Sequence, residues 1–171
     1  MHAPRRRPAH PRGAGRGPAV TPALVALSDL SAGVVRARLL AAHDRFWDVD
    51  TRARHDPVWF DQFGGFGVLA RSADGADAGY LLGVVTADRL AVVHLLAVRD
   101  DVRRRGLGRA LLGWFTDLAA GTGARVVQGV ARPGDTAALG LAAALGAVPH
   151  PAPDREGPGQ DRVVLTRSLR T

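Results

Sequence analysis

The spacing of apolar residues changes several times along the chain, and each change marks an element. Ala23 to Leu27 is a short apolar run that predicts a strand. Ser31 stands at a helix N-cap position and opens an apolar-periodic helix through Val35, Leu39 and Leu40 to about Asp44. A looser aromatic stretch follows, from Phe46-Trp47 through Trp59-Phe60 to Phe63, broken by Pro57. Phe66–Arg71 and Gly79–Thr86 read as strands on either side of a hairpin turn, Ala73-Asp74-Gly75-Ala76-Asp77. Leu90–Val98 is apolar enough for a central strand, and Gly108–Ala120 is a helix with Leu111, Leu112, Phe115 and Leu118 on one side. Arg125–Val130 predicts a strand, Thr136–Leu145 a helix ended by Gly146, Pro149–Asp161 a Pro/Gly-rich loop and Arg162–Leu169 a final strand. No internal repeat is present. This order predicts a mixed α/β (α+β) sheet with helices on both faces.

Residues 1–17 carry no such period. They are rich in Pro, Gly and Arg and predict a disordered tail, which leaves residues 18–171 as one domain. The tail lacks the apolar region of a secretion signal, and no apolar run approaches the ~20 residues that span a bilayer. Composition then narrows the chemistry. The formal charge is +7, with 23 basic residues against 16 acids, but Arg5, Arg6, Arg7, Arg12 and Arg16 of the tail supply five of those charges. The charge is therefore poor support for nucleic-acid binding by the domain, and only the tail is a candidate for it. Every basic residue is Arg, which removes the P-loop lysine and any Schiff-base lysine, and the absence of cysteine removes a thiolate nucleophile and Cys-based metal sites. His43 and His55, twelve residues apart, lack helical ligand spacing.

The informative segment runs from Leu95 to Leu112: a buried strand ends, an arginine-rich loop with two glycines follows, and a helix begins at once. Such a turn can aim several backbone N–H groups at one point, at the positive end of a helix dipole, while arginines add charge-assisted contacts; a pyrophosphate suits it. A dinucleotide fingerprint would need a glycine where Leu111 stands, and a Walker A loop would need lysine. What remains is Arg-x-x-Gly-x-Gly, at Arg103, Gly106 and Gly108.

At these residues the chain resembles the GCN5-related N-acetyltransferase (GNAT) superfamily, whose acetyl-CoA loop is (Gln/Arg)-x-x-Gly-x-(Gly/Ala) after a Leu-Ala-Val strand end. A second family signature is present in eroded form, from Pro133-Gly134-Asp135-Thr136-Ala137 to Leu145-Gly146-Ala147. The resemblance covers nearly everything except the tail. It implies a central, mostly antiparallel sheet of six to seven strands, splayed where acetyl-CoA wedges between the Val98 strand and the Arg125–Val130 strand. It further implies that the backbone of Leu96, Ala97 and Val98 holds the pantetheine arm and thioester. An N–H near Leu96 or Ala97 would stabilise an oxyanion. The N–H groups of Arg104, Arg105, Gly106, Leu107, Gly108, Arg109 and Ala110, with Arg103, would hold the pyrophosphate. Asp135 would either cap its helix or touch the cofactor arm.

Two departures from the family bear on proton transfer. The usual Tyr of the last helix falls on Ala142, and the usual Glu of the central strand falls on Val92. His94 stands where the arylalkylamine acetyltransferases have a histidine, and is either a proton-passing group or a satisfied core residue. Tyr80, the only tyrosine, is either a substitute polar group or core-edge packing. The stretch from His43 to Phe60 falls where the family builds its acceptor side; its aromatics and acids either hold an ammonium or pack on the sheet. Together these imply a cytoplasmic acetyl-CoA-dependent N-acetyltransferase acting on a primary amine, a small molecule in preference to a protein, by direct attack in a ternary complex. The alternatives are a non-catalytic acyl-CoA-binding module and a protein N-terminal or ribosome-associated acetyltransferase. A homodimer is common in the family.

Overall fold

The computed structural model describes residues 22–169, so the expected tail lies outside the described residues. Seven strands form one sheet in the order β1-β2-β3-β4-β5-β7-β6. They are β1 (Ala23–Ala26), β2 (Val68–Arg71), β3 (Asp77–Val85), β4 (Leu90–Val98), β5 (Val126–Ala131), β6 (Val148–Ala152) and β7 (Arg162–Ser168). Every neighbouring pair is antiparallel except β4 and β5, which run parallel. The helices are α1 (Ala32–Ala41), α2 (His43–Phe46), α3 (Val58–Asp61), α4 (Leu107–Gly121) and α5 (Thr136–Ala144). This is the mixed, mostly antiparallel sheet the sequence predicts, completed by a seventh strand.

Each face of the sheet buries its own layer. On one face, Leu107, Leu111, Phe115 and Ala119 of α4 pack on Val68, Ala70, Ala78, Leu81, Ala91 and Val127. Their spacing of four residues is the apolar stripe of an amphipathic helix. Gly83 makes that contact close: a Cβ there would stand 2.7 Å from the Phe115 ring. On the opposite face, Leu27, Val35, Leu39, Phe46 and Phe60 cover Leu69, Tyr80, Leu82, Leu95 and Ala97.

Three local expectations change. The helix after Ser31 stops at Ala41 and resumes as a separate turn at His43; Ser31 is its N-cap residue, but its hydroxyl makes no capping bond. The strand expected from Phe66 begins at Val68, because Gly64–Phe66 forms a 3-10 turn. The loop expected over Pro149–Asp161 opens with a strand, β6, although it contains two prolines. Leu169 N–H donates to the Arg125 carbonyl, so alternation along β7 turns Arg162, Val164 and Thr166 toward β6. Their partners are Ala152, His150 and Val148, which leaves Pro149 and Pro151 facing outward at the sheet edge, where a missing N–H breaks no ladder.

Candidate active site

The site is built around the place where β4 and β5 part. They pair only at Leu90–Val126, Ala91–Val127 and Val92–Gln128; beyond Val92 no strand among the described residues lies beside that edge of β4. Arg99 N–H donates to the Ala78 carbonyl at 2.9 Å. Alternation from that bond turns Ala97 toward β3, where it pairs with Tyr80, and turns Leu96 and Val98 into the splay. Of the three residues expected to present backbone groups, Leu96 and Val98 turn theirs into the splay, and Ala97 is committed to the ladder. The Val98 carbonyl is met by Arg103 Nε at 3.0 Å, while Arg103 Nη2 donates to the Phe46 carbonyl at 2.8 Å. Arg103 therefore ties the loop to β4 and α2 instead of reaching outward for phosphate.

The loop after Arg103 forms a concave run of donors. Arg104 (φ 62) and Gly106 (φ 84) are both left-handed, and Gly106 is the N-cap of the 15-residue α4. The N–H groups of residues 104–109 meet no acceptor among the described residues, whereas Ala110 N–H is taken by the Gly106 carbonyl. Ala110 thus drops out of the expected set. No acidic residue occupies the first turn of α4. Nearby Asp100 and Asp101 are engaged by Arg45 and Arg99, while Arg104, Arg105 and Arg109 are exposed without an ion pair among the described residues. Six consecutive unpaired N–H groups, a helix N-terminus and three uncommitted arginines fit a pyrophosphate. Asp135 caps α5, accepting from Ala138 N–H at 2.9 Å, so capping is the role its geometry serves.

On the acceptor side, β4 carries a bulge: Leu82 pairs with Leu95 and Gly83 with Val93, leaving His94 as the extra residue. The bulge turns His94 onto the face of α3, where its ring stacks on Trp59 with centroids 3.8 Å apart and planes 7° from parallel. Its Nε2 lies 2.7 Å from the Arg54 carbonyl, which can only accept, so Nε2 carries the proton and Nδ1 the lone pair. Nδ1 has no hydrogen bond among the described residues, yet Arg71 Nε is the one buried side-chain nitrogen or oxygen without a partner; Nδ1 is therefore open to solvent. Burial pushes the His94 pKa below its ordinary value; the hydrogen bond to the Arg54 carbonyl opposes that shift and the Arg54 guanidinium adds to it.

Tyr80 is 1% exposed and belongs to the core. Its hydroxyl accepts from Trp47 Nε1 at 2.7 Å and donates to His55 Nε2 at 2.7 Å, and burial pushes its pKa far up. It cannot serve as an exposed acid. His55 Nδ1 donates to the Thr51 carbonyl, and His43 Nε2 accepts from Thr51 N–H and hydroxyl. The two histidine rings stand 6.3 Å apart with these bonds made. His43, Phe46, His55 and Phe60 are thus packing residues, and Trp59 is the aromatic that faces His94. Ala142 is buried, so the last helix offers no hydroxyl there. Sequence reasoning missed Arg54, Glu156 and Arg162: Arg54 Nη2 donates to Glu156 Oε1 at 3.1 Å, and Arg162 Nη2 donates to the other oxygen, holding the carboxyl below its ordinary range.

Residues 36–147 match the acetyltransferase (GNAT) family. The chain belongs to the GNAT acetyltransferases. As a member it is an acyltransferase that draws on acetyl-CoA. No curated protein sequence aligns with this acetyltransferase significantly. Among solved structures it is similar to Ard1 from Thermoplasma volcanium, at 18% identity and TM-score 0.74, covering 89% of this chain and 100% of that one. It is similar to the ribosomal-protein-S18-alanine N-acetyltransferase from Escherichia coli, at 18% identity and TM-score 0.65, covering 87% and 94%. The phosphinothricin acetyltransferase from Sinorhizobium meliloti, solved with acetyl-CoA, matches at 19% identity and TM-score 0.68, covering 88% and 89%. At these identities the likeness is one of fold, and no helix among the described residues of the acetyltransferase is long and apolar enough to cross a membrane.

Proposed function

We propose that this acetyltransferase acts in the cytoplasm and transfers acetyl to the primary amine of a small molecule, by direct attack in a ternary complex. The observation that carries the reading is the adjacency of two features on one strand. Val98 leads into the donor-rich loop, and His94, four residues earlier, offers a neutral, open Nδ1. Bound acetyl-CoA supplies an acyl carbon activated as a thioester. The N–H groups of residues 104–109 would hold its pyrophosphate, and the main-chain groups that Leu96 and Val98 turn into the splay would meet its arm. The amine arrives as an ammonium with an ordinary pKa near ~10. His94 Nδ1 takes its proton, directly or through water, so that the nitrogen can bond to the acyl carbon as the C–S bond breaks. A thiol of pKa near ~8.5 departs as thiolate without an added acid, which accommodates alanine at 142. A chain without cysteine has no sulfur for an acetyl-enzyme.

A small acceptor is favoured by the Arg54–Glu156–Arg162 link. It ties the turn before α3 to the segment before β7, so these two segments are not free to part around an extended chain. Thiol release measured over a panel of small primary amines and N-terminal peptides tests both parts of the proposal. Turnover of amines but not peptides is expected. Turnover confined to peptides overturns the acceptor class. Acetyl-CoA binding with no turnover on any acceptor returns the protein to a binding module, the reading that Val92 and Ala142 favour.

A further inference from the structure

Beneath the acceptor side lies a chain of buried polar groups that neither binding nor chemistry has used. Trp47 Nε1–H donates to the Tyr80 hydroxyl, which donates to His55 Nε2, whose Nδ1–H donates to the Thr51 carbonyl. From the other side, Thr51 is gripped by His43 through both its N–H and its hydroxyl. The His55 carbonyl receives Arg36 Nε at 2.6 Å. All these bonds converge on one short turn, Thr51–His55, which contains the 3-10 segment Arg52–Arg54. From that turn the Arg54 carbonyl reaches β4 and lies 2.7 Å from His94 Nε2.

We infer that the buried chain Trp47–Tyr80–His55 is a positioning device: it fixes the turn so that the Arg54 carbonyl holds His94 in its Nε2–H tautomer, with Nδ1 as the free base. A neutral imidazole divides its proton between two nitrogens unless a partner chooses. Here a carbonyl chooses, and a carbonyl on a surface turn keeps a 2.7 Å approach only if the turn is anchored. The anchor is rigid for a physical reason. Tyr80 and His55 are 1% exposed, so a lost partner would leave a buried donor or acceptor unsatisfied. Trp59, stacked on the His94 ring, fixes the plane in which Nδ1 lies. The charged and titratable groups about His94 are Arg54 and His55 on the turn, and the Arg54 guanidinium is itself paired with Glu156. The inference rests on His94 being the base, and its test separates the two.

Nitrogen-15 NMR of labelled imidazoles reads the His94 tautomer and its titration without any turnover. In the full-length protein His94 is expected as one Nε2–H tautomer. In Tyr80→Phe it becomes a mixture of both, its pKa falls further because the Arg54 carbonyl that favours the charged ring is lost, and kcat falls about fivefold with KM for acetyl-CoA unchanged. Trp47→Phe, which removes only the outermost donor, moves the same readings less and serves if Tyr80→Phe does not fold. Leu39→Ala, in the same buried layer, is the control for lost packing. A single unchanged tautomer in both chain variants, or an equal change in Leu39→Ala, overturns the positioning role. Full activity of His94→Ala with the tautomer result intact overturns the base assignment instead.

Discussion

Between Arg104 and Arg109 the groups offered to a ligand are main-chain N–H groups, aimed by two left-handed residues within six consecutive positions. Across the splay they are side chains, Arg54, His94, Glu156 and Arg162, and the Arg54–Glu156 pair alone joins residues 102 positions apart. The first arrangement recognises what every acyl donor of this kind shares, a pyrophosphate, and needs no particular side chain beyond glycine and positive charge. The second is built of side chains that can change without remaking the donor loop. Substitutions on the two sides should therefore fail in different ways.

The largest effect is expected at Gly106. At φ 84 any side chain is strained, and Gly106→Val should weaken acetyl-CoA about a hundredfold by calorimetry. The melting temperature should drop by only a few degrees, because a Cβ at that position meets nothing within 4 Å. His94→Ala should lower kcat at neutral pH by about a hundredfold or more while leaving acetyl-CoA affinity intact; an equal loss of donor affinity would erase the contrast between the two sides. Glu156→Gln should come next, raising KM for the acceptor about fivefold with KM for acetyl-CoA unmoved, since it loosens a link confined to the acceptor face. Asp135→Ala, which removes a helix cap, should cost about 1 kcal/mol of stability and move neither Michaelis constant.

Acid should act on the acceptor side first. His94 and His55 both titrate below the ordinary histidine value because burial disfavours their charged forms. Their contribution to stability is complete above about pH 6.5 and is lost as pH falls toward their depressed values, where the unfolded chain binds more protons. Denaturant midpoints measured from pH 7.5 downward should decline over that window, and His55→Gln should flatten the decline.

The same contrast explains how much could be read from the chain. The donor loop was legible because left-handed geometry and phosphate approach demand glycine at fixed spacing: Arg103, Gly106 and Gly108 sit in one window between a strand and a helix. Even there, the spacing could not show that Arg103 turns inward to two carbonyls, or that Ala110 lies past the last open N–H. The central strand was legible from its apolar run, but the bulge that turns His94 toward Trp59 was not, since it arises from register against β3. Tyr80 could be read as polar substitute or packing; the deciding partners, Trp47 and His55, lie 33 and 25 positions away. Glu156 sits in a stretch with no period at all, and its meaning comes from Arg54 and Arg162.

The outward prolines of β6 have a consequence for the molecule as a whole. A sheet that ends in a bare strand offers a template on which another strand can grow, and a chain rich in apolar strands runs that risk during every folding event. Pro149 and Pro151 occupy the two outward positions of β6 that would otherwise present N–H groups. A stray strand laid along this rim would find carbonyls to donate to and no donors in return, so the sheet stops at seven.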